Sequence, residues 1–159
     1  MTRERSPLHP DPATKADMAA ILGGRRMRRN RRTDWSRRMV PVASMPGVER
    51  HSVDRAVKQA ERAARLGIPA IALFPYTAPA RRDESGSEAL NPENLVCAAC
   101  RAIKAAVPEV GLVTDVALDP YTSHGHDGLL AGEEIVNDAT VDVPVLQALL
   151  QAEAGADII

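Results

Sequence analysis

One junction occurs twice in this chain and narrows the folds open to it: a helical stretch, a glycine, then a short apolar run. It reads ARLGIPAIALF at residues 64–74 and AEAGADII at 152–159. A glycine after a helix takes the left-handed conformation that closes it, and an apolar run without polar alternation reads as a strand covered on both faces, as in parallel sheets. The elements between repeat the cycle. Ser52 or Asp54 starts a helix carrying Val57, Ala60 and Ala64 on one side, with Gly67 at its end. Residues 68–74 are expected as a strand, and residues 77–87 as a polar loop. Asn91, with Pro92 at the first helical position, starts a second helix running to about Val107. Pro108 ends it, and Gly111 to Leu118 is the next strand. A long polar loop leads to Asp142, and Pro144 sits just inside a third helix that reaches about Glu153. Strand, helix, strand, helix, strand in this order argues parallel βαβ units joined right-handedly.

Charge divides the chain in two. Residues 1–40 hold ten Arg and one Lys against four acids, a net +7, whereas residues 41–159 carry a net −8. The expected organisation is therefore a mobile extension and arginine-rich arm over 1–40 and an α/β domain over 41–159. Within the arm, Thr33 or Asp34 is placed to cap a short helix with Trp35, Met39 and Val40 on its apolar side. The cluster Arg25 to Arg32 has two readings, a phosphate-binding footprint and an arm that embraces a neighbouring subunit. With Trp35 the one aromatic nearby, base stacking has little support and the subunit arm is the preferred reading. No apolar run is long enough to span a bilayer and no secretory leader is apparent, so a cytoplasmic setting is expected. Cys97 and Cys100 form a single CxxC inside a predicted helix, which reads as buried core rather than zinc or redox chemistry.

The segment leaving the second strand concentrates the chemistry. TDVALDPYTSHGHDG, residues 114–128, packs three aspartates, two histidines and three serine or threonine hydroxyls beside a glycine-containing turn. Asp115, read as lying within the apolar strand, needs a partner, a raised pKa or a ligand there. Asp119 and Asp127 flank the turn and could meet around a hard cation or an ammonium group. The plainer reading makes Asp119-Pro120 and Asp127-Gly128 ordinary turn residues. His124 and His126 are read as loop residues rather than ligands, and residues 81–84 as a solvated loop.

This segment resembles the metal loop of the porphobilinogen synthases (5-aminolevulinate dehydratases), and RRNRRTDWSRRMV, MPGVERHSVD and LFPYTAP resemble the same family in the same order. The resemblance implies a TIM-type (β/α) barrel behind the basic arm, here incomplete. It implies condensation of two 5-aminolevulinate molecules into porphobilinogen, and a homo-oligomer, an octamer in the family, assembled through the arm. It assigns Asp115 to the active site and Asp119 and Asp127 to the metal or substrate-ammonium position. Aspartates in place of the cysteines of zinc-dependent members imply Mg2+ or no metal, and argue against Zn2+. The family holds substrate as Schiff bases on two barrel lysines. The lysines of this sequence are Lys15, in the extension, and Lys58 and Lys104, on predicted helices, so none is assigned that role. The family's first barrel strand is also missing between Val40 and Pro41. The chain is therefore expected to be inactive alone, with a non-catalytic role as an assembly partner of full-length subunits, or nucleic-acid binding through the arm, as the alternatives.

Overall fold

A computed structural model describes residues 39–159, all within one compact unit. It opens with an antiparallel hairpin, β1 (Met39–Pro41) and β2 (Glu49–His51), registered Met39 to His51 and Pro41 to Glu49. Helix α1 (Val53–Arg65) follows directly, then β3 (Ala70–Leu73), two short 3-10 turns, α2 (Leu95–Ala106) and β4 (Gly111–Thr114). A small hairpin, β5 (Leu130–Ala131) and β6 (Glu134–Ile135), precedes α3 (Asn137–Glu153). β3 and β4 pair in parallel from Ala70–Gly111 to Leu73–Thr114, and Ile158 adds a parallel bridge to Val113 on the far side of β4. The parallel strands thus lie side by side in chain order, joined through helices, as the repeated junction requires. They do not close into a barrel.

The end of α1 shows why that junction works. Gly67 has φ +73°, which lets Ile68 N–H reach Ala63 O at 3.0 Å and Gly67 N–H reach Ala64 O at 2.9 Å. This pair of bonds satisfies carbonyls that a helix end otherwise leaves open and turns the chain into β3. Beneath the strands, Ala60 of α1 packs with Val96, Cys97, Cys100 and Ile103 of α2 and with Val107, Val110, Leu112 and Ala154. The core is aliphatic, and both cysteines serve in it as small apolar residues. Burial pushes both thiols up, that of Cys100 to about 11, so neither is a ready nucleophile.

Several boundaries differ from the sequence reading, each for a local reason. Met39 and Val40 are strand rather than helix, because they pair with His51 and Arg50; Thr33, Asp34 and Trp35 lie outside the described residues. α2 is capped by Asn94, whose Oδ1 accepts from Cys97 N–H at 2.9 Å. Asn91 instead accepts from Glu93 N–H in a turn that delays the helix. α3 starts at Asn137, so Pro144 is internal to it. β3 is not covered on both faces: Ala72 is exposed and Phe74, just beyond it, is 77% exposed. Among the described residues β3 has a strand neighbour on one side only. Among the same residues no helix is long and apolar enough to cross a membrane.

Candidate active site at the carboxyl ends of the parallel strands

The loops after β3 and β4 leave the same end of the parallel pair and are tied to each other. Beyond the strands Asp83 and Thr122 form a further parallel bridge: Asp83 N–H reaches Tyr121 O at 3.3 Å and Ser123 N–H reaches Asp83 O at 2.9 Å. His124 donates from Nε2 to Glu84 O at 3.1 Å, and its Nδ1 accepts from His126 N–H at 3.1 Å. These two roles together require the neutral Nε2–H tautomer. Tyr121, Leu118 and Ala89 are buried under the clasp with Leu129 and Val143 against them. Burial moves the Tyr121 phenol strongly upward, so it stays neutral.

Asp83 organises the first of these loops. Its Oδ1 accepts from Ser85 N–H (3.0 Å), Ser85 Oγ–H (2.9 Å) and Ser87 N–H (3.0 Å), and Oδ2 accepts from the Ser87 hydroxyl. Partial burial pushes this carboxyl up, but the hydrogen bonds from Ser87 and Ser85 outweigh it and hold the group below the ordinary carboxylate value. Residues 81, 83 and 84 are exposed, as expected of a solvated segment, but Asp83 is bound to its serines rather than to solvent alone. Arg82 also turns inward, donating from Nε to Thr77 O at 2.9 Å, while Tyr76 carries Arg50 4.2 Å over its ring and Arg82 at 5.8 Å.

The three aspartates singled out in the sequence all occur in the loop that follows β4. Asp115 is exposed and lies one residue past the strand end. The argument that its burial demands a partner therefore fails, because the ladder stops at Thr114 and the expected strand to Leu118 does not form. Asp119 is exposed as well. Asp127 accepts from Leu118 N–H through Oδ1 at 2.5 Å, which folds the loop back so that Asp127 meets the residue preceding Asp119. Gly128 then passes so close to β6 that an added Cβ would lie 2.7 Å from Ile135 Cγ2. The rings of His124 and His126 lie 5.4 Å apart, tilted. Among the described residues no three His, Cys, Asp or Glu side chains gather around one metal position. Asp119 and the Asp127 Oδ2 offer carboxylate oxygens, the donor type of hard cations, and the loop holds no thiolate.

Sequence reasoning missed two groups here. The clasp around Asp83 is written as DESGS, an Asp followed by Ser at two and four residues, a spacing that invites local side-chain-to-backbone bonding. Gln147 and Gln151 of α3 reach the chain leaving β4, donating from Nε2 to Ala117 O at 3.2 Å and to Asp115 O at 3.0 Å. An i, i+4 pair of glutamines in the otherwise apolar stretch from Val143 to Ala152 was the available signal. Lys58 and Lys104 lie on helices as expected, and Lys15 lies outside the described residues. Lys58 is exposed on α1. Lys104 is fixed at the opposite, amino end of β4, 2.6 Å from Asp157 and donating to Val110 O at 2.9 Å.

Comparison with known proteins bears on the same residues. The sequence model of the delta-aminolevulinic acid dehydratase family matches residues 33–159. A delta-aminolevulinic acid dehydratase of Bradyrhizobium diazoefficiens is 58% identical over 158 positions, covering 84% of this chain and 45% of that protein. The Chlamydia pneumoniae enzyme of the same name is 43% identical over 118 residues, covering 74% and 36%. A crystal structure of the Toxoplasma gondii enzyme, solved with its reaction product porphobilinogen, is 43% identical with a TM-score of 0.72, covering 75% of this chain and 34% of that one. The chain therefore spans less than half the length of these relatives. In the first alignment 84% of 159 residues is about 134, so about 24 of its 158 positions have no counterpart here, consistent with an internal deletion.

Proposed function

Because this chain belongs to the delta-aminolevulinic acid dehydratase family, we propose that it supplies the front part of a porphobilinogen synthase, laid out as the opening units of a TIM-type (β/α) barrel. The reaction is the condensation of two 5-aminolevulinate molecules into porphobilinogen, a step of tetrapyrrole and heme biosynthesis in the cytoplasm. The carrying observation is the loop after β4. Asp115 stands at a carboxyl strand end, where the functional groups of such barrels collect, and the Asp127–Leu118 bond draws Asp127 back toward Asp119.

In this reading Asp115 faces the reacting substrate, and Asp119 and Asp127 hold either Mg2+ or the substrate ammonium group; zinc is not expected. A bound Mg2+ would supply electrostatic stabilisation of a nearby anion. The carboxylates themselves orient a cationic amine by charge and hydrogen bonding. A Schiff base needs an unprotonated amine at the same end of the strands. Lys104 is held at the other end in an ion pair and Lys58 lies on an exposed helix face. The lysines that hold substrate would therefore come from the part of the relatives with no counterpart here, and the 159-residue chain alone makes no product. The arginine-rich arm, residues 1–40, would join homologous subunits into an oligomer around the domain at 41–159.

Intact-mass spectrometry after 5-aminolevulinate and borohydride tests this directly. An unmodified mass, with no porphobilinogen released, is expected. A reduced adduct on Lys58 or Lys104 would overturn the assignment of roles.

A further inference from the structure

Helix α3 is built the wrong way round for an ordinary packed helix. It turns Val141, Val145 and Leu149 to the exterior and buries Gln147 and Gln151, each 1% exposed. Each buried amide makes one bond through Nε2, to Ala117 O or Asp115 O, while neither Oε1 has a partner. A half-satisfied amide under a helix is unfavourable compared with Leu or Met of similar size. Packing alone therefore does not account for two of them one turn apart.

What they contact does. β4 loses its ladder at Thr114, and the next residues run on without a strand beside them. Carbonyls two residues apart in an extended chain point the same way, and those of Asp115 and Ala117 both meet α3. An i, i+4 glutamine pair presents two amides along one helix face, which suits that pair of carbonyls. Leu118 N–H, the following polar group, is taken by Asp127. Three side chains thus take the place of an absent strand neighbour for the polar groups of Asp115, Ala117 and Leu118 as the chain enters the loop.

We propose that Gln147 and Gln151 are positioning residues that set the direction of Asp115 and the seat of Asp119 and Asp127 by holding the backbone from which they project. This rests on the reading of those aspartates as the ligand-facing group of the site. The glutamines act on it through the main chain and touch no ligand themselves.

The test uses the full chain with Gln147→Met, Gln151→Met and the double change, followed by amide hydrogen exchange and by Mn2+ broadening of loop resonances as a hard-cation probe. The expected result is faster exchange at Leu118, by about tenfold as its local opening becomes easier, with the core amides of Cys100 and Ile103 unchanged. The Mn2+ midpoint should rise roughly tenfold, in the range of lost outer-sphere support. Should the double variant lose its helical circular dichroism, the single changes decide by the same comparison. Exchange that rises equally in core and loop, or not at all, overturns the proposal, as does a Mn2+ midpoint that stays put while Leu118 loosens. A wild-type chain that does not respond to Mn2+ counts against the cation reading of Asp119 and Asp127, and exchange at Leu118 still decides the role of the glutamines.

Discussion

The two ends of the β3–β4 pair are made on opposite principles. At the amino end an ion pair is tied into the backbone: Lys104 meets Asp157 at 2.6 Å, Asp157 accepts from Leu112 N–H at 2.7 Å, and Lys104 donates to Val110 O at 2.9 Å. These bonds join the end of α2, the start of β4 and the segment carrying Ile158. At the carboxyl end Asp115 and Asp119 stand exposed, Asp83 and His124 fasten the two loops to each other, and Asp127 folds the second loop back on itself. In barrel-type folds one end is for stability and the other for chemistry, and this chain already divides its charges that way.

The largest effect expected is from a change in what both ends share. Ile103 and Leu112 are fully buried in the aliphatic core. Ile103→Ala or Leu112→Ala should cost about 2–5 kcal/mol, transfer and cavity terms together, and urea unfolding should show both ends lost in one transition. Two separate transitions would mean that the loop clasp is a unit of its own. Asn94→Ala comes next, at about 1 kcal/mol for a lost helix cap. Asn94 also donates to Ala89 O at 3.2 Å, beside the buried residues under the clasp, so the loops should loosen more than the amino end does.

How far the sequence revealed this division depends on how local each signal was. The end of α1 lies within a residue of the reading because Gly67 and the apolar run after it form one short-range motif. α2 was misread by three residues because Asn91 and Asn94 both have capping chemistry, and only the competing turn bond to Glu93 separates them. Pro144 reads as a helix start because that is where proline is most easily tolerated, yet α3 absorbs it internally. Asp115, Asp119 and Asp127 stand out in the sequence because they fall in one short polar segment after a predicted strand. The exposure of Asp115 was not, since it depends on where the pairing stops. The residues that hold the site, Asp83 and the two glutamines, act across loops and helices, beyond what hydrophobic periodicity reports.

Acid should sharpen the contrast. Hydrogen bonding to Lys104 and to Leu112 N–H holds the Asp157 carboxyl below its ordinary 3.8, and Asp83 is held low by its serines despite burial. A lowered carboxyl contributes stability that is present above its unfolded value and is lost as pH falls through its folded one. The contributions of both groups should therefore be intact above about pH 4, near the unfolded aspartate value, and disappear only below it. Asp157→Asn should flatten the acid limb of the stability curve and free the Ile158 segment, with amide exchange at Thr114, whose N–H bonds Ile158 O, as the local readout. An unchanged acid limb would remove Asp157 from the account of the amino end.

The smallest expected change is the most telling. Asp115 and Asp119 are exposed, and neither side chain contributes to the core. Asp115→Asn and Asp119→Asn should therefore shift unfolding by no more than about 0.5 kcal/mol, the range of surface substitutions away from special features. The same changes should weaken Mn2+ broadening of the loop, because a hard cation is bound by carboxylate charge. Carboxylates whose loss leaves the fold intact and removes the ligand are there for the ligand. Carboxylates whose loss destabilises the chain would instead make the carboxyl end a second structural clamp, and the division between the two ends would fall.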